Sequence, residues 1–295
     1  RNPTLIYGPG STGKSWFGQY LAVLADQGMS HGELTVEPCS VLFLDWETDQ
    51  TEIGIRVTML RKGLGLEGGK SHIWYKSMNQ GLSNDIEAIR GVVVEKSIDL
   101  IIVDSLGSAC MGEPESAEVV LRTFNALRSL GVSSICIDHT NKENILFGSV
   151  YKYNSARQVF ECKKDQQPEE DKLRLGLFHR KANNSKLREP LGFELGFGEN
   201  KVTVARGPVR GTALEVNLPV LDRIMNALRR GSLTAEQLLD ELHDPEGKKT
   251  ISESHLRKEL SIGTSKGLIS KLRARTEDNK QLYGIPVREE NEWQI

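Results

Sequence analysis

The octapeptide Gly8-Pro9-Gly10-Ser11-Thr12-Gly13-Lys14-Ser15 places a lysine and a hydroxyl directly behind a glycine-rich turn. Glycines at this spacing let backbone N–H groups close around a phosphate chain; the lysine then reaches the outer phosphates and the serine hydroxyl is placed to ligate Mg²⁺. The chemistry this points to is capture of a nucleoside triphosphate, with Gly8 to Ser15 and the adjoining Trp16 as the cradle. Asp104 ends the apolar run Leu100-Ile101-Ile102-Val103, where a carboxylate can hold the same Mg²⁺ through water, and Ser105 follows it. Hydrolysis also needs a group that orients or deprotonates the attacking water. Glu47, directly behind Val41–Trp46, is the candidate base; Asp45, two residues back, is the competing carboxylate or a structural cap.

These residues need elements that bring them to one place. Leu5-Ile6-Tyr7 reads as a short buried strand before the glycine loop. A helix carrying Trp16, Phe17, Tyr20, Leu21 and Leu24 follows it, with Gly28 as its C-cap. Val41–Trp46, Leu100–Val103 and Ser134–Ile137 are near-continuous apolar runs, as expected of parallel strands covered on both faces. His72–Tyr75 is a weaker strand. Helices are expected over Thr51–Lys62, Asp85–Lys96 (capped by Ser83 or Asn84) and Glu115–Leu130. This alternation predicts an α/β fold with a mainly parallel sheet flanked by helices. Leu173, Leu175 and Leu177 alternate with polar or small residues, and Val202-Thr203-Val204 follows, which predicts an antiparallel edge.

The chain has 295 residues, enough for one large domain and one small one, and its net charge of −2 excludes a polybasic nucleic-acid coat. Cys39, Cys110, Cys136 and Cys162 are scattered without C-x-x-C spacing, so reduced thiols and a cytoplasmic location are expected. No run approaches a membrane span and no signal peptide is visible. The first residue is Arg1 and the first strand begins almost at once, so further N-terminal sequence is expected.

In order, the Gly8–Ser15 loop, the strand ending Asp45-Trp46-Glu47, Asp104-Ser105 and Asp138-His139-Thr140-Asn141-Lys142 resemble the RecA-like, AAA-type P-loop ATPases. Within that group they resemble the hexameric replicative helicases of the RepA and DnaB type. The resemblance spans roughly Arg1 to Ala205. It implies ATP hydrolysis with Mg²⁺, coupled to translocation on or unwinding of DNA by a homo-oligomer, a hexamer, with single-stranded DNA in its channel. It gives His139 the γ-phosphate contact, and it makes Thr140–Ser155 the DNA loop, with Lys142, Lys152, Tyr151 and Tyr153 as contacts. It matches Lys181 to a lysine offered to the neighbouring subunit's ATP. Asn183 stands where an arginine finger is expected, which leaves Arg180 or Arg188 for that task. Arg157 matches an arginine common in such ATPases. The alternative functions are a nucleotide-switched DNA-binding or regulatory protein, and a recombinase- or loader-type ATPase that separates no strands.

The pattern breaks over residues 208–218, which divides an ATPase domain at 1–207 from a smaller domain at 219–295. Beyond the break, Leu221, Ile224, Met225 and Leu228 mark a helix and Leu238, Leu239 and Leu242 a second. Two further helices are expected at Ser252–Leu260 and Ser265–Arg275, turning at Ser261-Ile262-Gly263. A hairpin is expected from Leu282–Val287 and Glu292–Ile295. This arrangement resembles a winged helix-turn-helix. Residues 253–275 hold Arg257, Lys258, Lys266, Lys271, Arg273 and Arg275 against Glu253 and Glu259. Lys266, Lys271 and Arg273 on the second helix would contact duplex DNA; the other reading is a solvated helix in a protein-docking module.

Overall fold

Short Leu, Ile and Val runs punctuated by helices build a central sheet in the computed structural model, which describes residues 2–68, 71–113, 115–242 and 251–286. The chain divides into two compact units, Arg1–Pro208 and Val209–Ile295. The first begins with β1 (Pro3–Gly8), α1 (Lys14–Gln27), β2 (Val41–Asp45), α2 (Gln50–Gly63) and β3 (Ile73–Ser77). It continues through α3 (Ile86–Glu95), β4 (Leu100–Asp104), α4 (Leu106–Cys110), α5 (Ala117–Ser129), β5 (Ser133–His139) and α6 (Tyr151–Ser155). It closes with β6 (Gln158–Asp165), β7 (Lys172–Ala182), β8 (Leu191–Phe197) and β9 (Val202–Gly207).

Among the described residues of this unit, nine strands join one sheet in the order β3-β2-β4-β5-β1-β6-β7-β8-β9. Pairing is parallel from β3 to β6 and antiparallel from β6 to β9. The strand carrying the glycine loop is thus separated by β5 from the strand carrying Asp104. This is a mainly parallel α/β sheet with an antiparallel edge.

Alternation along the strands serves two separate layers of helix. Leu5, Leu42, Leu44, Ile101, Val103 and Cys136 pack with Ile89 and Val93 of α3 and with Val120, Phe124 and Leu127 of α5. Their neighbours face the other way. Ile6 packs with Phe17, Tyr20, Val23 and Leu24 of α1, and Val41, Phe43, Ile102 and Ile137 pack with Ala22, Ala25 and Ile53. Gly28 closes α1 in the left-handed region, at φ 58°, its N–H reaching Ala25 and Leu24 carbonyls. The cap of α3 is Asp85, which makes no side-chain capping bond, rather than Ser83 or Asn84. Among the described residues no helix is long and apolar enough to cross a membrane, and the four cysteines are free thiols.

The second unit opens with a 3₁₀ turn at Ala213–Asn217, then α7 (Val220–Arg230), β10 (Leu233–Thr234), α8 (Ala235–Glu241), α9 (Glu253–Ser265), β11 (Ser270–Arg275) and β12 (Gln281–Gly284). The strands form a three-stranded antiparallel sheet in the order β10-β12-β11. A capping box at Thr234 and Gln237 starts α8. Here the sequence expectation fails in one place. Ser261-Ile262-Gly263 lies inside α9 rather than in a turn, and Ser265–Arg275 is not a helix. Gly263 serves packing: a Cβ there would stand 2.6 Å from Ile269 and 2.9 Å from Leu221. Beyond Gly267, in the left-handed region at φ 67°, Lys271, Leu272 and Arg273 alternate exposed, half-buried, exposed, the period of a strand edge. Of the expected terminal hairpin, Val287 and Glu292–Ile295 lie outside the described residues.

Gly63 ends α2 against β9, where a Cβ would come 1.9 Å from the Val202 carbonyl oxygen. Backbone cannot yield as a side chain can. Gly63→Ala should therefore lower stability by about 1–3 kcal/mol, read as an earlier midpoint in urea unfolding of the whole chain; an unchanged midpoint would show that α2 and β9 are free to part.

Candidate active site

β1 delivers the glycine loop at the centre of the sheet, between β5 and β6. Only glycine fits at its end, since a Cβ on Gly8 would lie 2.2 Å from the Cys162 carbonyl oxygen of β6. Gly13 adopts φ 84° and stands close to Leu173 of β7. The loop then turns straight into α1, so that its N–H groups and the helix start face one cleft. Lys14 is 3% exposed. Its Nζ donates to the carbonyls of Gly8 (2.9 Å) and Pro9 (2.7 Å) and to Thr12 Oγ1 (3.3 Å). Burial pushes the ammonium's pKa down, against the pull of Cys162, Asp104, Glu47 and Asp138.

Three carboxylates stand at or just past the ends of β2 and β4, in different environments. Asp45 is buried and spent on structure: it accepts from Glu47 N (2.9 Å), Thr48 N (3.2 Å), Thr48 Oγ1 (2.5 Å) and Tyr75 OH (3.2 Å). Glu47, released beyond the strand end, accepts from His139 Nε2 at 3.0 Å. That bond, aided by Ser105, holds the Glu47 carboxyl down at about 2 although burial opposes it. Glu47 is thus an ionised acceptor beside the cradle, and Asp45 is the turn that presents it. The benefit of the His139 contact is complete above the ordinary glutamate pKa near 4.5 and is lost only as pH falls through about 2.

Asp104 has the opposite environment. It is 3% exposed, and burial lifts its carboxyl to about 6, against a hydrogen bond from the Ser15 side chain. Its Oδ1 is buried without a hydrogen-bond partner. A buried, desolvated carboxylate oxygen next to a loop serine is a donor set that suits a hard divalent cation, so Ser15 and Asp104 fit Mg²⁺.

The cleft measures about 380 Å³ and is lined by Ser11 to Trp16 together with Glu47, Thr48, Arg56, His139, Gln166, Leu173 and Phe197. Sheet order gives it a direction. Asp104 and His139 lie on strands to one side of β1; Gln166, Leu173 and Phe197 lie on or beside strands to the other. Trp16 meets Phe197 edge-on at 5.5 Å, and the Arg56 guanidinium lies 5.3 Å above its ring. Thr48, Arg56, Gln166, Leu173 and Phe197 were not legible as site residues: none belongs to a motif, and only folding brings them to the loop.

Other expected residues sit elsewhere. Lys142 and Tyr151 are exposed on the segment after His139. Lys152, expected to face DNA, is a correction: it is 1% exposed, and its Nζ pairs with Asp138 Oδ2 at 2.8 Å, because a buried carboxylate lies within reach of its stem. Tyr153 is half-buried, its OH donating to the Arg180 carbonyl at 3.0 Å. Arg180 pairs with Glu161 at 2.8 Å. Lys181 Nζ donates to the carbonyls of Tyr153, Asn154 and Ala156 at 2.8–2.9 Å. Arg157 precedes β6, and Lys181 lies opposite the start of that strand, facing Val159. Both are therefore at the sheet edge remote from the glycine loop. In the second unit Lys266 caps α9, and Lys271 and Arg273 are exposed on β11.

Residues 1–144 match the family described as "AAA domain". Among solved structures, the chain is similar to a KaiC-like protein from the hyperthermophilic archaeon Pyrococcus horikoshii (19% identity, 69% of this chain and 88% of that one, TM-score 0.48). It is likewise similar to the flagellar accessory protein FlaH from Methanocaldococcus jannaschii (16% identity, 70% of this chain and 89% of that one, TM-score 0.48). No curated protein matches the chain at a significant level. The family match, the glycine loop and the strand order support a P-loop nucleoside triphosphatase domain of RecA-like fold.

The desolvated Asp104 has a measurable consequence. Lifting its carboxyl from 3.8 to about 6 means that ionising it costs the folded state on the order of 3 kcal/mol. Asp104→Asn should raise the melting temperature of the ligand-free protein at pH 7, the gap to the parent opening as pH climbs from about 4 to about 6. A gap that stays constant across that range would remove the burial argument.

Proposed function

We propose that this chain hydrolyses ATP with Mg²⁺ and couples the cycle to translocation on DNA as an assembly of identical subunits, in the manner of the hexameric replicative helicases its motifs resemble. The observation that carries the hydrolytic part is the ionised Glu47 held by His139 at the mouth of the phosphate cradle.

In this reading the loop N–H groups, Lys14 and the α1 terminus bind the phosphate chain. Ser15 and Asp104 would hold Mg²⁺, which when bound neutralises charge on the outer phosphates. Glu47 orients the attacking water and takes its proton. Its low pKa makes it a weak base, so alignment is the larger part of its contribution. In this reading a γ-phosphate would compete with Glu47 for the His139 Nε2–H, which would tie the presence of that phosphate to the segment running from Thr140 to Tyr151. Lys142 and Tyr151 are exposed there beside Ile145 and Phe147, a cation and flat rings suited to a single strand of DNA.

The assembly reading rests on reach. β1 has six residues, so roughly 20 Å separates its two ends. Lys181 and Arg157 at the far edge cannot serve this chain's own loop, and they would act on ATP only in a second copy. Arg180, paired with Glu161, would have to leave that carboxylate to do so.

The alternative reading, a nucleotide-switched DNA-binding protein, is favoured by the second unit. In this reading the order α7-β10-α8-α9-β11-β12 supports a winged helix, α9 would be its recognition helix and β11–β12 its wing. The exposed Ser254, Arg257, Lys258 and Ser261 would then meet the groove, and Lys266, Lys271 and Arg273 the flanking phosphates.

Steady-state ATPase assays with and without single-stranded DNA separate the two readings. A translocase should be stimulated severalfold, a switch hardly at all. Lys14→Ala should abolish turnover, and Glu47→Gln should keep nucleotide binding while losing at least about 100-fold in kcat. Normal turnover in Glu47→Gln would falsify the assignment of that residue.

Duplex binding is read by salt titration. Charge reversal at Lys266, Lys271 and Arg273 should flatten the dependence of log affinity on log salt by up to about three phosphate equivalents. An unchanged slope would make the second unit a protein-docking module.

A further inference from the structure

The least expected feature of the first unit is an ion pair sealed from solvent. Lys152 and Asp138 are each 1% exposed, with Nζ and Oδ2 2.8 Å apart. A pair buried this completely is a poor device for stability, since desolvation consumes most of the attraction; its attested use is to fix geometry. What it fixes is visible in its contacts. The other carboxylate oxygen of Asp138 accepts from the backbone N–H of His139 at 2.9 Å, so the pair holds the backbone of the residue that touches Glu47. A Cβ on Gly107, three residues beyond Asp104, would stand 3.2 Å from Asp138 Oδ1 and 3.7 Å from Lys152 Nζ. The Phe147 ring covers the ammonium at 5.9 Å.

Lys152 belongs to α6, and the last carbonyls of that short helix are occupied by cations. Tyr153, Asn154 and Ala156 accept from Lys181 Nζ, and Ser155 accepts from Arg128 at 2.8 Å. The helix is therefore bolted at one side to the strand end beside the cleft and at the other to the lysine on the remote edge of the sheet. A displacement of Asp138 and His139 would draw on Lys152, the buried partner of that carboxylate, and through it on α6 and the carbonyl cage around Lys181.

We propose that Lys152 is a positioning residue that transmits nucleotide occupancy from Asp138–His139 through α6 to Lys181, loosening the carbonyl cage when the site is filled. This rests on the hydrolase reading above. It would give each subunit a means of releasing its remote lysine only after its own cleft is loaded.

The test is the reactivity of the Lys181 amine towards a small acylating reagent, read by peptide mass spectrometry on the full chain, with and without a nonhydrolysable ATP analogue and Mg²⁺. In the parent, held at a dilution where the chain is monomeric so that no second copy covers Lys181, nucleotide should raise Lys181 labelling severalfold while Lys152 stays protected. Lys152→Met strands the Asp138 charge and risks unfolding, so the deciding variant is Asp138→Asn/Lys152→Met, which removes both charges and keeps an acceptor for His139 N–H. It should melt close to the parent and bind the analogue with similar affinity, yet show Lys181 labelling that no longer responds to it. A response of parental size in this double variant overturns the proposal, as does a parent that binds the analogue without any change at Lys181. A parent that binds no nucleotide at all overturns the hydrolase reading, and this inference with it.

Discussion

Parallel register across β2, β4, β5 and β1 is the constraint on which the rest of the first unit depends. Asp45 lies opposite Asp104, Asp104 opposite Ile137, and Gly8 opposite His139. These pairings bring the strand ends to one sheet edge, within reach of one phosphate chain. Because side chains alternate between faces, a slip of one residue in any pair would exchange the two helix-facing layers and turn the chemical groups away from the cleft. The register is held by two cores at once, one under α3 and α5 and one under α1 and α2, which leaves no slack for such a slip.

Within that frame the carboxylates are told apart chiefly by what surrounds them. Asp45 is saturated with donors from the following turn, Glu47 is charged because His139 donates to it, and Asp104 is held up by burial with one oxygen unpartnered. Three acids in so small a volume repel one another. The fold separates their roles by giving one hydrogen bonds, one a histidine, and one a position where a divalent cation is the natural counter-charge.

Cations divide in the same manner. Lys14 folds back onto its own loop, Lys152 is sealed against Asp138, Arg180 is paired with Glu161, and Lys181 sits among carbonyls. Lys142 remains exposed three residues beyond His139, and the second unit carries exposed positive charge on α9 and β11. A lysine count therefore overstates the surface open to a polyanion, and the exposed subset names where such a partner would meet the chain.

The sequence by itself determined what is local. The glycine loop, Lys14, Ser15 and the carboxylates behind their strands are legible because their function depends on contiguous backbone, and apolar runs of strand length betray doubly covered parallel strands. The mainly parallel sheet with its antiparallel edge follows from the same periods. Tertiary structure decided whatever depends on distant partners. His139 and Glu47 are 92 residues apart, and nothing in either segment announces their contact. Lys152 looks like a solvated loop cation until a buried carboxylate is found beside it. Lys271-Leu272-Arg273 is too short to declare its period, and pairing with β12, not propensity, makes it a strand. A backbone motif carries its geometry with it, whereas the fate of a charge is set by what the fold puts within 3 or 4 Å of it.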